Sequence, residues 1–312
     1  MDTKVDIIIN CFNGEKYLSE ALKSVQKQDF PHWRIIFIDN CSTDDSAKIA
    51  KSFKGNLKYF KTEKKVSLGA ARKIAVDMCN SEFISFIDCD DTWMPYKLSD
   101  QINTMKNKNI VLTYSGINNV DQNKKLISQF KPLKAEGNLL KKKLISFDIN
   151  LVTALLRREF LIKNNLNFLP TMEASEEYNL FMRITALGQI HSSDKIHANY
   201  RLLENSLTNQ FKEKWSEERN YTLNQIFRKN DKLSSTYKNE IEVARRRSLY
   251  YEACFLMQSK QYSSARRNLK RIASKEKKYF FLLVISLIPF LWNFFHKRRM
   301  KEKLTTLFLD QR

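Results

Sequence analysis

The chain has 312 residues, 43% hydrophobic and 28% charged, a globular balance that argues against a disordered or fibrous protein. Its 54 Lys and Arg against 34 Asp and Glu set a net charge of +20. From Lys212 onward there are 24 basic and 10 acidic residues, against 30 and 24 before it, so the rear is the part suited to an anionic surface, phospholipid or nucleic acid.

Cys11, Cys41, Cys79, Cys89 and Cys254 are odd in number and scattered, without C-x-x-C spacing, and the four histidines do not cluster with them. Neither a zinc site nor a disulfide framework is expected, and a reducing compartment suits such a set. The opening MDTKVDIIIN runs into a short apolar strand without a long apolar leader, so no secretory signal is expected.

The first ninety residues alternate apolar bursts with helical patterns. Asp6–Asn10, Arg34–Asp39, Leu57–Phe60 and Phe83–Asp88 are continuous β-branched and aromatic runs, as strands buried on both faces require. Between them Leu18, Ala21, Leu22 and Val25 mark one face of a helix. Ala47, Ile49 and Ala50 begin a second, with Ser42 and Asp45 spaced like a capping box, and Ala71, Ile74, Ala75 and Met78 stripe a third. Strand–helix–strand repetition predicts a parallel sheet with right-handed crossovers, its ligand at the carboxyl ends of the strands.

A helix is predicted over Lys97–Asn107, then strands over Ile110–Ser115, Lys125–Phe130 and Leu151–Leu156, and a short helix over Arg158–Asn164. Glu176–Ala186 reads as a helix with Leu180, Ile184 and Leu187 pointing inward. Beyond Lys212 the pattern is helical, with Arg246–Ser259 and Tyr262–Ser274 forming an antiparallel pair that places small residues at Ala253 and Ala265. Phe280–Phe295 is apolar on nearly every face, yet as a helix it reaches only about 24 Å against a hydrocarbon core of about 30 Å. Both flanks, Lys270–Lys278 and Lys297–Arg299, are basic. A segment lying in the membrane interface with both ends on one side satisfies both facts; a core helix and a full span are the alternatives.

The charged landmarks fall where the front strands end. Asp39 closes the second and Asp88-Cys89-Asp90-Asp91 the fourth, with Arg72 on the helix before it and Glu176-Glu177 opening a later one. Two carboxylates one residue apart can offer hard oxygen ligands to Mg²⁺ or Mn²⁺ and leave room for diphosphate oxygens.

At this point the chain resembles the inverting glycosyltransferases of family 2, over about residues 4–205. IIINCFNGEKYLSEALKSVQKQDFPHWRIIFIDNCSTDDS is similar to that family's opening strand, turn, helix and acidic segment. LGAARKIA resembles its G-A-A-R-N segment, and FISFIDCDDTWMPYKL its D-x-D-D-x-W-x-P-x-K-L signature. SEEYNLFMRITALG resembles its E-D-(aromatic)-D-L-x-x-R segment, and NYRLLENSLT its late Y-R-x-H-x-x-S-x-T turn.

The resemblance implies an α/β fold of the GT-A type, a Rossmann-like nucleotide-binding sheet flanked by helices, followed by a C-terminal helical region. The implied division is a catalytic domain over 1–211, a basic helical region over 212–278, and an apolar membrane-associating helix with a basic tail over 279–312. It further implies that the Cys11 turn touches the nucleotide base, Asp39 reads the uracil ring, and Arg72 lies near base and phosphates. Asp88 would face ribose and metal, and Asp90 would bind the divalent ion. Glu177 aligns with the catalytic base, with Glu176 as its rival, and Trp93 is either an acceptor platform or core filler. The implied reaction moves a sugar, with inversion, from a nucleotide sugar, UDP-linked by resemblance, to a glycan hydroxyl. A polyprenyl-diphosphate-linked acceptor at the inner face of the plasma membrane, in bacterial polysaccharide or glycoprotein-glycan synthesis, completes the expectation.

Departures are confined to a few positions. Asn40 replaces the usual second acid, Cys41 the usual Gly, Glu177 the usual Asp of Glu-Asp, which makes the implied base one methylene longer, and Leu203 a common His, while Lys65, Ser67 and Lys73 change the surroundings of LGAAR. Two readings of other classes remain: a nucleic-acid binder, and a catalytically silent scaffold that binds RNA or membrane through its basic rear. Strands this uniformly apolar leave no exposed stacking sheet, so no nucleic-acid partner is expected.

Overall fold

The computed structural model describes residues 4–203, 211–228 and 230–295. The chain divides into two compact units: residues up to Leu140 with Asp148–Leu203, and Lys141–Phe147 with the residues after Leu203.

In the first unit ten strands among the described residues make one mixed sheet. Its spine is β1 (Val5–Cys11), buried along its whole length between parallel neighbours β2 (Trp33–Asp39) and β4 (Phe83–Phe86). The edge strand β3 (Leu57–Lys61) pairs parallel with β2 and is only half-buried, as an edge beside water should be. The chain leaves β1 toward β2 and β3 on one side and returns to β4 on the other, so the switch in strand order lies between β1 and β4. That crevice is where α/β sheets bind ligands.

Beyond β4 the sheet turns mixed. β9 (Leu155–Arg157) pairs antiparallel with β4 and with β6 (Ile110–Val120), and β10 (Gln189–Arg201) runs parallel to β6 with three irregularities in register. The far end of β10 holds the two-residue β5 (Thr92–Trp93), with Ala198 opposite Trp93 and Asn199 opposite Thr92. β7 (Leu126–Phe130) flanks β6, and β8 (Ala135–Gly137) flanks β10.

The helices α1 (Glu15–Gln26), α2 (Ser46–Ser52), α3 (Leu68–Asp77), α4 (Lys97–Thr104), α6 (Arg158–Lys163) and α7 (Glu176–Leu187) lie where the sequence predicts helices, and α5 (Leu140–Ile145) is an additional short helix. Four local expectations are corrected. Ser42 does not cap α2: Asp45 occupies the cap without a side-chain bond, and the Ser42 hydroxyl accepts from the Asn13 amide instead. β4 ends at Phe86, because the acidic quartet turns on an Asp91 N–H to Asp88 O bond of 3.1 Å. Leu151–Leu156 is not one strand: the Asn150 side chain accepts from the Val152 amide and winds Leu151–Thr153 into a 3₁₀ turn before β9. Leu187 sits on the last turn of α7 and is 58% exposed, unlike the buried Leu180 and Ile184.

The second unit is helical: α8 (Trp215–Phe227), α9 (Asp231–Thr236), α10 (Lys238–Gln258), α11 (Tyr262–Ala273), α12 (Lys277–Ile285) and helical residues 289–295. The small residues Ala253 and Ala265 let α10 and α11 approach, and both are fully buried. Tyr279, Leu282, Ile285 and Trp292 join Met257, Leu269 and Ile272 in the same cluster, so 212–278 and the described part of 279–312 share one core. Among the described residues no helix is long and apolar enough to cross a membrane. The NSLT turn and the basic tail beyond Phe295 lie outside the described residues.

Candidate active site

The turns after β1 and β2 are stitched to one another. Asn40 N–H donates to Cys11 O at 2.8 Å, Asn13 accepts from the Thr43 amide at 2.8 Å, and Gly14 N–H donates to the Ser46 hydroxyl at 2.8 Å. Asn13 and Cys41 take left-handed backbone, φ 53° and 64°. Cys41 therefore holds the conformation for which glycine is usual, and its thiol donates to Thr62 O at 3.1 Å. Asn40 accepts from the Val66 amide and donates to Val66 O, both at 2.9 Å. An aspartate could only accept there, which explains the amide in place of the second acid.

Asp39 is fully buried. One carboxylate oxygen accepts from Ser42 N–H at 2.7 Å and the other from the Tyr59 hydroxyl at 2.6 Å, and burial together with Asp39 pushes that phenol well above its ordinary value. Cys11 is likewise 2% exposed. Both residues build the turn and, in this arrangement, present no free surface to a base. Phe12, which follows Cys11, is half-buried, with the Lys65 ammonium 3.6 Å from its ring centre.

The acidic quartet divides by side. Asp91 is 1% exposed and accepts from the Arg201 amide at 2.7 Å, whereas Asp88 and Asp90 are half-buried. Burial and the neighbouring charge of Asp88 push the Asp90 carboxyl up to about 6. Two oxygen donors that repel each other at a crevice suit a divalent cation bridging to a diphosphate. Among the described residues no group of three or more His, Cys, Asp or Glu stands ready as a complete cage, so such an ion would take its other ligands from the diphosphate and water. Cys89 turns toward β1. A Cβ placed on Gly14 would lie 2.8 Å from both its sulfur and that of Cys11, and their shared hydrogen bond lowers the Cys11 thiol and raises that of Cys89.

Two buried arginines hold this loop. Arg72 donates to Asp88 Oδ1 at 3.0 Å and to Glu176 Oε1, tying α3 to the acidic loop and to the start of α7. Burial opposes its charge, but Asp88, Glu176 and Glu177 more than offset that and raise its pKa. Arg72 reaches this position because α3 touches the 169–172 loop. A Cβ on Gly69 would meet Leu169 O at 2.3 Å and Met172 O at 2.7 Å, so the Gly of LGAAR is a contact requirement.

Glu176, 4% exposed, is committed to Arg72, whereas Glu177 is half-buried. Glu177 follows Glu176 on the first turn of α7, so the Arg72 bridge from Glu176 to Asp88 brings that turn to the acidic loop. Trp93 is corrected as an acceptor platform: it is 4% exposed, its indole N–H donates to Val152 O at 2.8 Å, and the Lys97 ammonium lies 3.9 Å from its ring centre. A stacking surface needs an open face, and Trp93 has none.

Arg201 carries no role in the sequence reading, although it stands in the quoted NYRLLENSLT segment. It is 4% exposed, and its side chain donates to Asp90 O at 2.8 Å, Gln122 O at 2.8 Å and Glu20 at 2.7 Å, while lying 4.2 Å from the Tyr17 ring centre.

Comparison with known proteins places this geometry. The chain is 29% identical over 216 residues to the Escherichia coli UDP-Glc:alpha-D-GlcNAc-diphosphoundecaprenol beta-1,3-glucosyltransferase WfgD, covering 68% of this chain and 83% of that protein. It is 23% identical over 216 residues to the putative teichuronic acid biosynthesis glycosyltransferase TuaG of Bacillus subtilis, covering 68% and 82%. The crystal structure of Staphylococcus aureus TarS 1-349 in complex with UDP-GlcNAc superposes with a TM-score of 0.66 at 20% identity, covering 97% of this chain and 92% of that one. The Pyrobaculum calidifontis mannosyltransferase PcManGT, in complex with GDP-Man and Mn²⁺, gives 0.61 at 13% identity, covering 98% and 84%. The likeness shows the GT-A fold with C-terminal helices. The glycosyl transferase family 2 model matches residues 6–164, just over half of the chain, which therefore belongs to that glycosyltransferase family.

Proposed function

We propose that this enzyme moves a sugar from a UDP-sugar to a hydroxyl of a glycan acceptor, with inversion at the anomeric carbon, in bacterial surface-glycan synthesis. The observation that supports the reading is Arg72, which bonds Asp88 and Glu176 and so joins the acidic loop to the start of α7, where Glu177 follows. In this reading the base lies over Phe12 and the turn that Asp39 and Cys11 build, near Lys65, and the diphosphate lies toward Asp88 and Asp90.

Asp90 and Asp88 would hold Mn²⁺ or Mg²⁺, which would supply charge neutralisation for the departing nucleoside diphosphate. Glu177 takes the proton of the acceptor hydroxyl as that oxygen attacks the anomeric carbon and the bond to the diphosphate breaks. One displacement inverts the centre, so an α-linked donor yields a β-linked product. Arg72 acts by holding Asp88 and Glu176, which leaves Glu177 as the base.

The UDP donor is supported by the relative named for UDP-Glc and by the TarS complex with UDP-GlcNAc. The first of these, named for a diphosphoundecaprenol-linked sugar, also supports a polyprenyl-diphosphate-linked acceptor. The test is a nucleotide-sugar panel read by thermal shift and hydrolysis, with Mn²⁺ or EDTA, on wild type and Asp90→Ala. One UDP-sugar should stabilise the wild type only with metal, by about 2.7 kcal/mol at a hundredfold excess over Kd, and should leave Asp90→Ala unchanged. Equal stabilisation in EDTA would remove the metal from the reading. Silence toward every nucleotide would remove the donor.

A further inference from the structure

Residues 277–295 carry two faces. Tyr279, Leu282, Ile285 and Trp292, each 5% exposed or less, anchor the segment on α10 and α11. On the other side Phe280, Val284, Leu287, Ile288, Phe290 and Phe294 are 47–74% exposed. No charged residue interrupts 279–295, and a monomer in water gains nothing by offering so many aromatic and branched side chains to it.

The segment is folded back rather than straight. α12 stops at Ile285, residues 286–288 turn, and helix resumes at Pro289. Arg266 caps this break, donating to Ser286 O from both Nε and Nη2 at 3.2 and 3.1 Å. The carbonyl freed by the turn is thus already bonded, which is what entry into an apolar medium requires. Cations lie at the margin: Lys275 and Lys277 line a shallow depression with Phe280, and Glu276 between them is already paired with Arg246 and Lys278.

We propose that this face is an in-plane membrane-binding patch, sunk into one leaflet of an anionic phospholipid bilayer without crossing it. Among the described residues no helix is long and apolar enough to span, and aromatic side chains beside lysines are the composition of interfacial anchors. Charge selects the occupant: with 24 basic and 10 acidic residues from Lys212 onward, the rear of one chain repels a second copy and attracts anionic headgroups. The patch is independent of the donor and acceptor proposed above.

The test is flotation of the full chain with phosphatidylcholine vesicles and with phosphatidylcholine–phosphatidylglycerol vesicles, at low and high salt. Deleting the segment would strip Tyr279, Leu282, Ile285 and Trp292 from the core, so exposed positions are substituted instead. Wild type should float with the anionic vesicles, about tenfold more weakly in high salt. Phe280→Ser/Phe290→Ser/Phe294→Ser should lose flotation by about a hundredfold while keeping its melting temperature and UDP-sugar hydrolysis. Lys275→Glu/Lys277→Glu should retain apolar binding but lose the preference for anionic lipid. Wild type that stays unbound, a triple-serine variant that floats equally well, or a wild-type dimer that the serine variant abolishes would overturn the proposal. Intact hydrolysis beside absent flotation would overturn the patch and leave the donor reading standing.

Discussion

Arg201 donates through Nε to the main-chain oxygen of Asp90 at 2.8 Å, across 111 residues of sequence. Its own amide donates to the Asp91 carboxylate at 2.7 Å, so the end of β10 holds the acidic loop at Asp90 and Asp91 while Arg72 holds it at Asp88. The loop is clamped by the sheet rather than by its local sequence.

Arg201→Lys keeps the charge but cannot make the fork to Asp90 O, Gln122 O and Glu20. We expect a loss of about 2–3 kcal/mol in stability, the scale of hydrogen bonds to a charged group. The Mn²⁺ concentration for half-maximal activity should rise at least about tenfold. Urea unfolding and a metal titration of hydrolysis check the two effects separately.

The adjacent glutamates should part company. Glu177→Gln should lower kcat by about 10²–10⁴-fold with little change in melting temperature if Glu177 is the proposed general base, since the amide cannot take the proton but keeps the shape of a half-buried side chain. Glu176→Gln weakens a buried ion pair with Arg72 and should cost roughly 3 kcal/mol in stability. Single-turnover kinetics beside thermal unfolding separates them, and a larger catalytic loss in Glu176→Gln would exchange the roles.

Gly69→Ala should destabilise by about 1–3 kcal/mol, because the added methyl meets the carbonyls of Leu169 and Met172 and neither is a movable side-chain end. Spreading α3 from that loop also displaces Arg72, so nucleotide affinity should fall with stability. Calorimetry with and without UDP reads both.

His197, 2% exposed, has its pKa lowered to about 4, since burial outweighs the pull of Asp100. The unfolded chain takes up that proton near 6.5, before the folded one does, so stability falls as pH drops from about 6.5 toward 4. The loss is up to about 3 kcal/mol for this group. Urea midpoints measured across that range should slope less in His197→Gln than in wild type.

Much of the α/β half is readable along the chain, because buried parallel strands must be continuous apolar runs and their helices must stripe. DIIIN, RIIFID and FISFID lie at β1, β2 and β4, and the motif acids lie at strand ends, where an α/β sheet opens. Chain order also places Glu176 and Glu177 at the start of a helix and Asp88 and Asp90 one residue apart. Local spacing stops at what each side chain meets. Whether Glu176 or Glu177 is buried depends on Arg72, 104 residues away from Glu176. Trp93 is core because Val152 O meets its indole N–H, and Asp39 is sealed by Tyr59 from the edge strand. The apolar 280–295 run has one face for the core and one for the outside because Leu282, Ile285 and Trp292 join the cluster built by Met257, Leu269 and Ile272, while Phe280, Phe290 and Phe294 stay exposed. Periodicity is a property of neighbours along the chain, whereas burial and pairing belong to groups that only folding brings within hydrogen-bonding distance.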